Sequence, residues 1–137
     1  MSGLKQKDAL GATVEAIEKE AEELFRSGKM NCAEAVLATL KNHFRPELPD
    51  DITDMATGFG GGSGSGCICG ALTGATMAMG LIVKNDKKRL KGLTRELHKW
   101  FTASYGATCC RVVLSGQKGI CASLTGKVAG KATSLLL

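Results

Sequence analysis

Between Asp8 and Ser27 the apolar residues Leu10, Val14, Ile17, Ala21, Leu24 and Phe25 recur at three- and four-residue steps, with Glu15, Glu18, Lys19, Glu22 and Glu23 mostly around them. That period lays one apolar stripe along a helix, which predicts an amphipathic helix with one face for a core. Gly28 suits its C-terminal cap, because glycine adopts the left-handed backbone that closes a helix. Asn31 followed three positions later by Glu34 is a capping-box start for a second helix. This helix buries Val36, Leu37, Leu40 and Phe44, carries Cys32 on the Val36 and Leu40 face, and stops before Pro46.

A linker with Pro46, Pro49, Asp50 and Asp51 leads through a short helical stretch, Ile52 to Thr57, into the glycine tract Gly58 to Gly66. The backbone freedom of that tract predicts a loop. From Gly70 to Val83 the chain is apolar nearly all round, as a central helix must be, with Gly70, Gly74 and Ala78 on one side where another backbone can come close. Lys87 to Tyr105 places Leu90, Leu93, Leu97, Trp100 and Phe101 at helical spacing, and Gly106 ends it. A short segment from Thr108 to Ser115 and a last helix from Ile120 to Leu137, with small residues at Gly126 and Gly130, complete the chain. No strand-period run and no internal repeat is present. The fold class is therefore all-α: a compact helical bundle of about five to six helices, with a glycine-rich loop before a buried central helix. The 137 residues suit one domain, 1–137.

Composition narrows the function. Hydrophobic residues at 44% and charged residues at 23% are ordinary globular usage, and 4% aromatics argues against a strand sandwich. The formal charge of +5 is dispersed except at Lys84 to Lys91, so nucleic acid is not an expected partner. Gly58 to Val83 has no charged residue and is long enough to cross a bilayer, but its glycine tract is a poor helix former, so no membrane span is expected. Met1 to Leu10 carries two lysines and no apolar stretch after them, unlike a secretory signal. The expected location is cytoplasmic, where thiols are kept reduced.

Six cysteines then need a role: Cys32, Cys67, Cys69, Cys109, Cys110 and Cys121. No pair has the two-residue gap of a thioredoxin motif or zinc knuckle. Cys32, Cys69, Cys110 and Cys121 each stand at the beginning of a predicted helix, where free N–H groups and about half a positive charge favour thiolate and any bound anion. Convergence of these starts would make an electropositive thiolate pocket. A single cysteine is as readily a small buried hydrophobe, and Cys32 and Cys121 lie on apolar faces, so the case for chemistry rests on the group. Met77 and Met79 read as core, His43 and His98 have no ligand-spaced companion, and the glycine tract lacks the lysine of a phosphate loop.

The order Cys32, then Cys69-Gly70-Ala71-Leu72-Thr73-Gly74, then Cys110-Arg111, then Cys121 resembles the C_GCAxxG_C_C family of redox-active proteins, helical domains of this size. The resemblance spans most of the chain and implies that Cys32, Cys69, Cys110 and Cys121 are the metal-binding or catalytic thiols. Cys67 and Cys109 are additional to the pattern, each close to a matched cysteine as a further cofactor ligand or resolving thiol. A related domain accompanies haem in the split-Soret cytochromes, where an iron–sulfur cluster is associated with it; this chain has no Cys-x-x-Cys-His, so no haem is expected.

The leading expectation is an iron–sulfur centre held by the four matched cysteines, passing electrons to a redox partner. A thiol/disulfide oxidoreductase is the alternative, with Arg111 and the helix starts lowering a thiol pKa, and with Cys32–Cys69, Cys67–Cys69 or Cys110–Cys121 as the cycling pair. A structural zinc site ranks third, because such sites usually draw ligands in close pairs. A homodimer is compatible with any of these. All three require the chain to turn back between Ser115 and Gly119, since a straight helix would carry Cys110 away from Cys121.

Overall fold

The stripe on the first helix is buried at Ile17 and Ala21 along α1 (Ser2–Arg26), in a computed structural model that describes residues 2–116 and 119–137. This helix starts before Asp8 because no proline or glycine pair interrupts the turns ahead of it. Leu10, expected on the same face, lies outside the described side chains. Gly28 follows the helix with φ of 76°. Helix α2 (Cys32–Phe44) begins at the expected capping box: Asn31 Oδ1 accepts from the Glu34 N–H at 2.9 Å, and Glu34 Oε1 accepts from the Asn31 N–H at 3.0 Å. Such a cap contributes about 1 kcal/mol.

The short helical stretch is a 3-10 segment, Asp50–Phe59, longer than expected, with Thr53 and Ala56 buried one three-residue turn apart. The Lys41 ammonium, itself buried, meets the Asp50 carboxylate at 3.0 Å and ties α2 to the start of this segment. The glycine loop closes as a wide turn in which the Cys67 N–H donates to the Gly62 carbonyl at 3.2 Å. Gly61, Gly62, Gly64 and Gly66 all have positive φ, which explains the glycine requirement, and Ser63 shares that conformation.

Helix α3 (Gly70–Ile82) is the expected buried centre, packed against α2, the 3-10 segment, α4 (Lys87–Tyr105) and α6 (Cys121–Leu136). Helix α4 ends at Gly106, φ 83°. Helix α5 (Cys110–Gly116) is short. The small-residue contacts are real: a Cβ on Gly74 would lie 2.5 Å from the Ala33 carbonyl, and one on Gly126 would lie 2.6 Å from the Glu18 carbonyl. These gaps bring α3 onto α2 and α6 onto α1. Leu37, Leu72, Met79, Leu97, Phe101 and Val128 fill the core between the helices, while Met77 packs against its edge. Among the described residues the extended chain amounts to one isolated antiparallel bridge, Ile68 with Cys109, and no helix is long and apolar enough to cross a membrane.

Candidate functional site

Cys32 opens α2, Cys69 caps α3, Cys110 opens α5 and Cys121 opens α6. Each position follows from a local device. The capping box fixes Cys32; the Cys69 N–H donates to the Thr108 carbonyl at 2.8 Å and the Cys110 N–H to the Cys67 carbonyl at 2.5 Å, which pins the start of α3 beside the start of α5. Gly119, φ 85°, precedes the start of α6, and the turn expected between Ser115 and Gly119 lies at 117 and 118 outside the described residues.

All four cysteines line one cavity of about 210 Å³, with Phe25, Val113, Leu114 and Leu124 as its apolar walls and Asn31, Gly61 and Thr125 completing the lining. The chain therefore does return Cys121 to Cys110. Among the described residues no charged side chain lines the cavity. Cys32 Sγ lies where a side chain on Gly70 would be, 2.5 Å from a Cβ built there. Asn31 extends the wall outward, donating from Nδ2 to the Thr57 carbonyl at 2.9 Å.

The expectation of an electropositive, thiolate-favouring pocket is corrected. Burial pushes the Cys69 thiol up from 9.0 to about 12, helped by the neighbouring charges of Cys32 and Cys110 and opposed by hydrogen bonds from the Ala71 and Leu72 N–H groups. Burial likewise raises Cys110, followed by the charges of Cys32 and Cys109, and raises Cys121, followed by those of Cys32 and Cys110. The N–H groups at the start of α3 do act on Cys69 as a helix start should; desolvation is larger. Helix α5, with seven residues, adds little dipole. Cys32 and Cys110 each recur as a neighbour of the other three.

Cys67 and Cys109 are exposed and outside the cavity lining, and all six cysteines are free thiols. Among the described residues, no group of three or more His, Cys, Asp or Glu side chains is arranged to hold a metal ion. The four sulfurs thus surround a space and do not meet about a point. Their chemistry, four soft thiol donors in an apolar cavity, fits the usual donor set of an iron–sulfur cluster. The histidines are elsewhere: His43 Nε2 is 2.6 Å from Glu20 Oε2, and His98 Nδ1 is 2.7 Å from the Thr94 carbonyl.

Arg111 Nη2 donates to the Ser65 carbonyl at 2.9 Å and holds the glycine turn against α5. Tyr105 is raised by burial and then by the charges of Cys69 and Glu18. The spacing of Gly70 directly after Cys69 was visible, but its service to Cys32 is a tertiary fact.

Residues 30–135 match the family C_GCAxxG_C_C, described as "Putative redox-active protein". The chain belongs to this family. The matched range takes in α2 to α5 and nearly all of α6, leaving α1 outside it. In one respect the C_GCAxxG_C_C label departs from this chain: it reads Gly-Cys-Ala, where the chain reads Cys69-Gly70-Ala71, the first two exchanged. Cys69 nevertheless lines the cavity, and the exchange leaves at position 70 the residue that admits Cys32 Sγ. No curated protein and no solved structure matches the chain.

Proposed function

We propose that this member of the C_GCAxxG_C_C family is an electron-transfer protein in which Cys32, Cys69, Cys110 and Cys121 hold an iron–sulfur cluster. The observation that supports it is the gathering of four cysteines, from four helix starts, around one cavity with apolar walls and, among the described residues, no charged lining. A cluster bonds its thiolates at separate corners, so a ring of thiols suits it better than a single zinc ion, which needs its ligands about one centre. When bound, the cluster would supply one-electron chemistry. The chain's own residues would supply four thiolates, the Ala71 and Leu72 N–H groups at the start of α3 that bond Cys69, and apolar walls from Phe25, Leu114 and Leu124.

Thiol/disulfide exchange that uses Cys69 is less well supported, because burial pushes its thiol up to about 12 and a protonated thiol is a poor nucleophile. Metal binding removes that proton directly. The redox partner would act in a reducing cytoplasm, where thiols stay free. Protein purified without oxygen should contain iron and acid-labile sulfide in comparable amounts. Zinc in their place, or neither metal after anaerobic reconstitution with iron and sulfide, overturns the proposal.

A further inference from the structure

The geometry points to a disulfide between Cys67 and Cys110, formed by reaction with a small-molecule disulfide, that withdraws Cys110 from the cavity. The bridge of Ile68 with Cys109 is flanked by two hydrogen bonds, Cys69 N–H to Thr108 carbonyl at 2.8 Å and Cys110 N–H to Cys67 carbonyl at 2.5 Å. This register sets Cys67 directly across from Cys110. In a regular ladder opposed residues at such a position have Cα atoms about 5.5 Å apart, inside the roughly 4.4–6.8 Å that a disulfide spans; here the Cys67 N–H turns to the Gly62 carbonyl and one hydrogen bond joins the pair. Gly62 allows the approach: a Cβ there would lie 2.7 Å from the Cys67 nitrogen and 3.0 Å from Cys110 Cβ.

The other pairings are less favourable. Cys109 is set opposite Ile68, not opposite a cysteine, and is the peptide neighbour of Cys110, where a disulfide would close a strained ring. Cys69 is 5% exposed and out of reach of a reagent in solution. Cys67 is exposed and can meet an oxidant first, whereas Cys110 is half-buried between the two environments.

The step balances with a small disulfide RSSR, such as oxidised glutathione, as the oxidant. The Cys67 thiolate attacks one sulfur of RSSR, the S–S bond breaks, and one RSH leaves after taking a proton. Cys110 sulfur then attacks Cys67 Sγ, releasing the second RSH and forming the Cys67–Cys110 bond after losing its own proton. Two protein thiols are oxidised by two electrons and RSSR is reduced. That this would release or destabilise a cluster by removing one of four ligands rests on the proposed function; the disulfide does not.

The test equilibrates the metal-free full-length protein with a reduced and oxidised glutathione mixture, quenches it with acid, alkylates it and maps its peptides by mass spectrometry. The expected main product is a linked Cys67–Cys110 peptide pair, lost in C67S and in C110S and kept in C109S. A stable glutathione adduct on Cys67, or linkage of Cys67 to Cys69 or Cys109, overturns the inference. In a second arm, protein reconstituted with iron and sulfide is exposed to oxidised glutathione, and C67S should slow the loss of visible absorbance. Equal rates in C67S and the unsubstituted chain overturn the switching role. Failure to take up iron at all overturns the proposed function and leaves the peptide result standing.

Discussion

Cys32 Sγ fills the space that a side chain on Gly70 would occupy, with 2.5 Å between the sulfur and a Cβ built on that glycine. The two residues belong to different helices, and the missing side chain on α3 is what lets the Cys32 thiol of α2 reach the cavity that Cys69, Cys110 and Cys121 also line.

Gly70→Ala should therefore be destabilising. Its methyl group meets Cys32 Sγ and, at 2.7 Å, the Phe59 carbonyl, which is backbone and cannot rotate away. Overpacking of this kind costs about 1–3 kcal/mol. Gly92→Ala, in open space on α4, should instead raise stability by about 0.5–1 kcal/mol through helix propensity. Urea unfolding of both variants reads the difference; equal midpoints would show that the contact at Gly70 is unimportant.

Much of this frame was legible in the sequence. The capping box at Asn31 and Glu34 marks the start of α2, and Gly106 marks the end of α4, because both are local hydrogen-bonding or backbone signals. The four cysteines at helix starts were legible for the same reason. Their gathering was not, since it depends on Gly74 against Ala33 and Gly126 against Glu18, contacts that glycine permits without specifying. The charge of the pocket was misjudged because a helix start is a local property and burial a tertiary one. The bridge of Ile68 with Cys109 is a single pair with no period, so only the resemblance to the family's cysteine order, and no local pattern, separates the exposed Cys67 and Cys109 from the four that line the cavity.

Stability of the metal-free protein should fall at alkaline pH. Cys69 in the folded chain holds its proton to about 12, while in the unfolded chain it releases it near 9.0. The unfolded state thus binds fewer protons between those values, and folding weakens as pH rises through that window, by up to about 1.4 kcal/mol per unit. Below it the contribution is constant. Chemical denaturation at several pH values should show this slope, and Cys69→Ala should flatten it.

Alkylation should proceed in an order set by access. Exposed Cys67 and Cys109 should react with iodoacetamide first, half-buried Cys32, Cys110 and Cys121 later, and buried Cys69 last. Peptide mass mapping over time reads the order. Early labelling of Cys69 in folded protein would contradict the cavity described.

Asn31→Ala should lower stability by about 1–2 kcal/mol, since it removes the α2 cap and the hydrogen bond to the Thr57 carbonyl together. Alkylation of Cys32, the next residue, should speed up. Thermal unfolding and labelling rates measure both effects, and an unchanged melting temperature would argue against the capping role.

The most direct measurement is visible absorbance, with iron content, of anaerobically reconstituted protein carrying each of the six cysteines replaced singly by serine. The expected result is loss of the absorbance and iron in C32S, C69S, C110S and C121S, with both retained in C67S and C109S. Retention in all four of the first group, or an unsubstituted protein that stays colourless and iron-free, would contradict a cluster held by the cavity thiols.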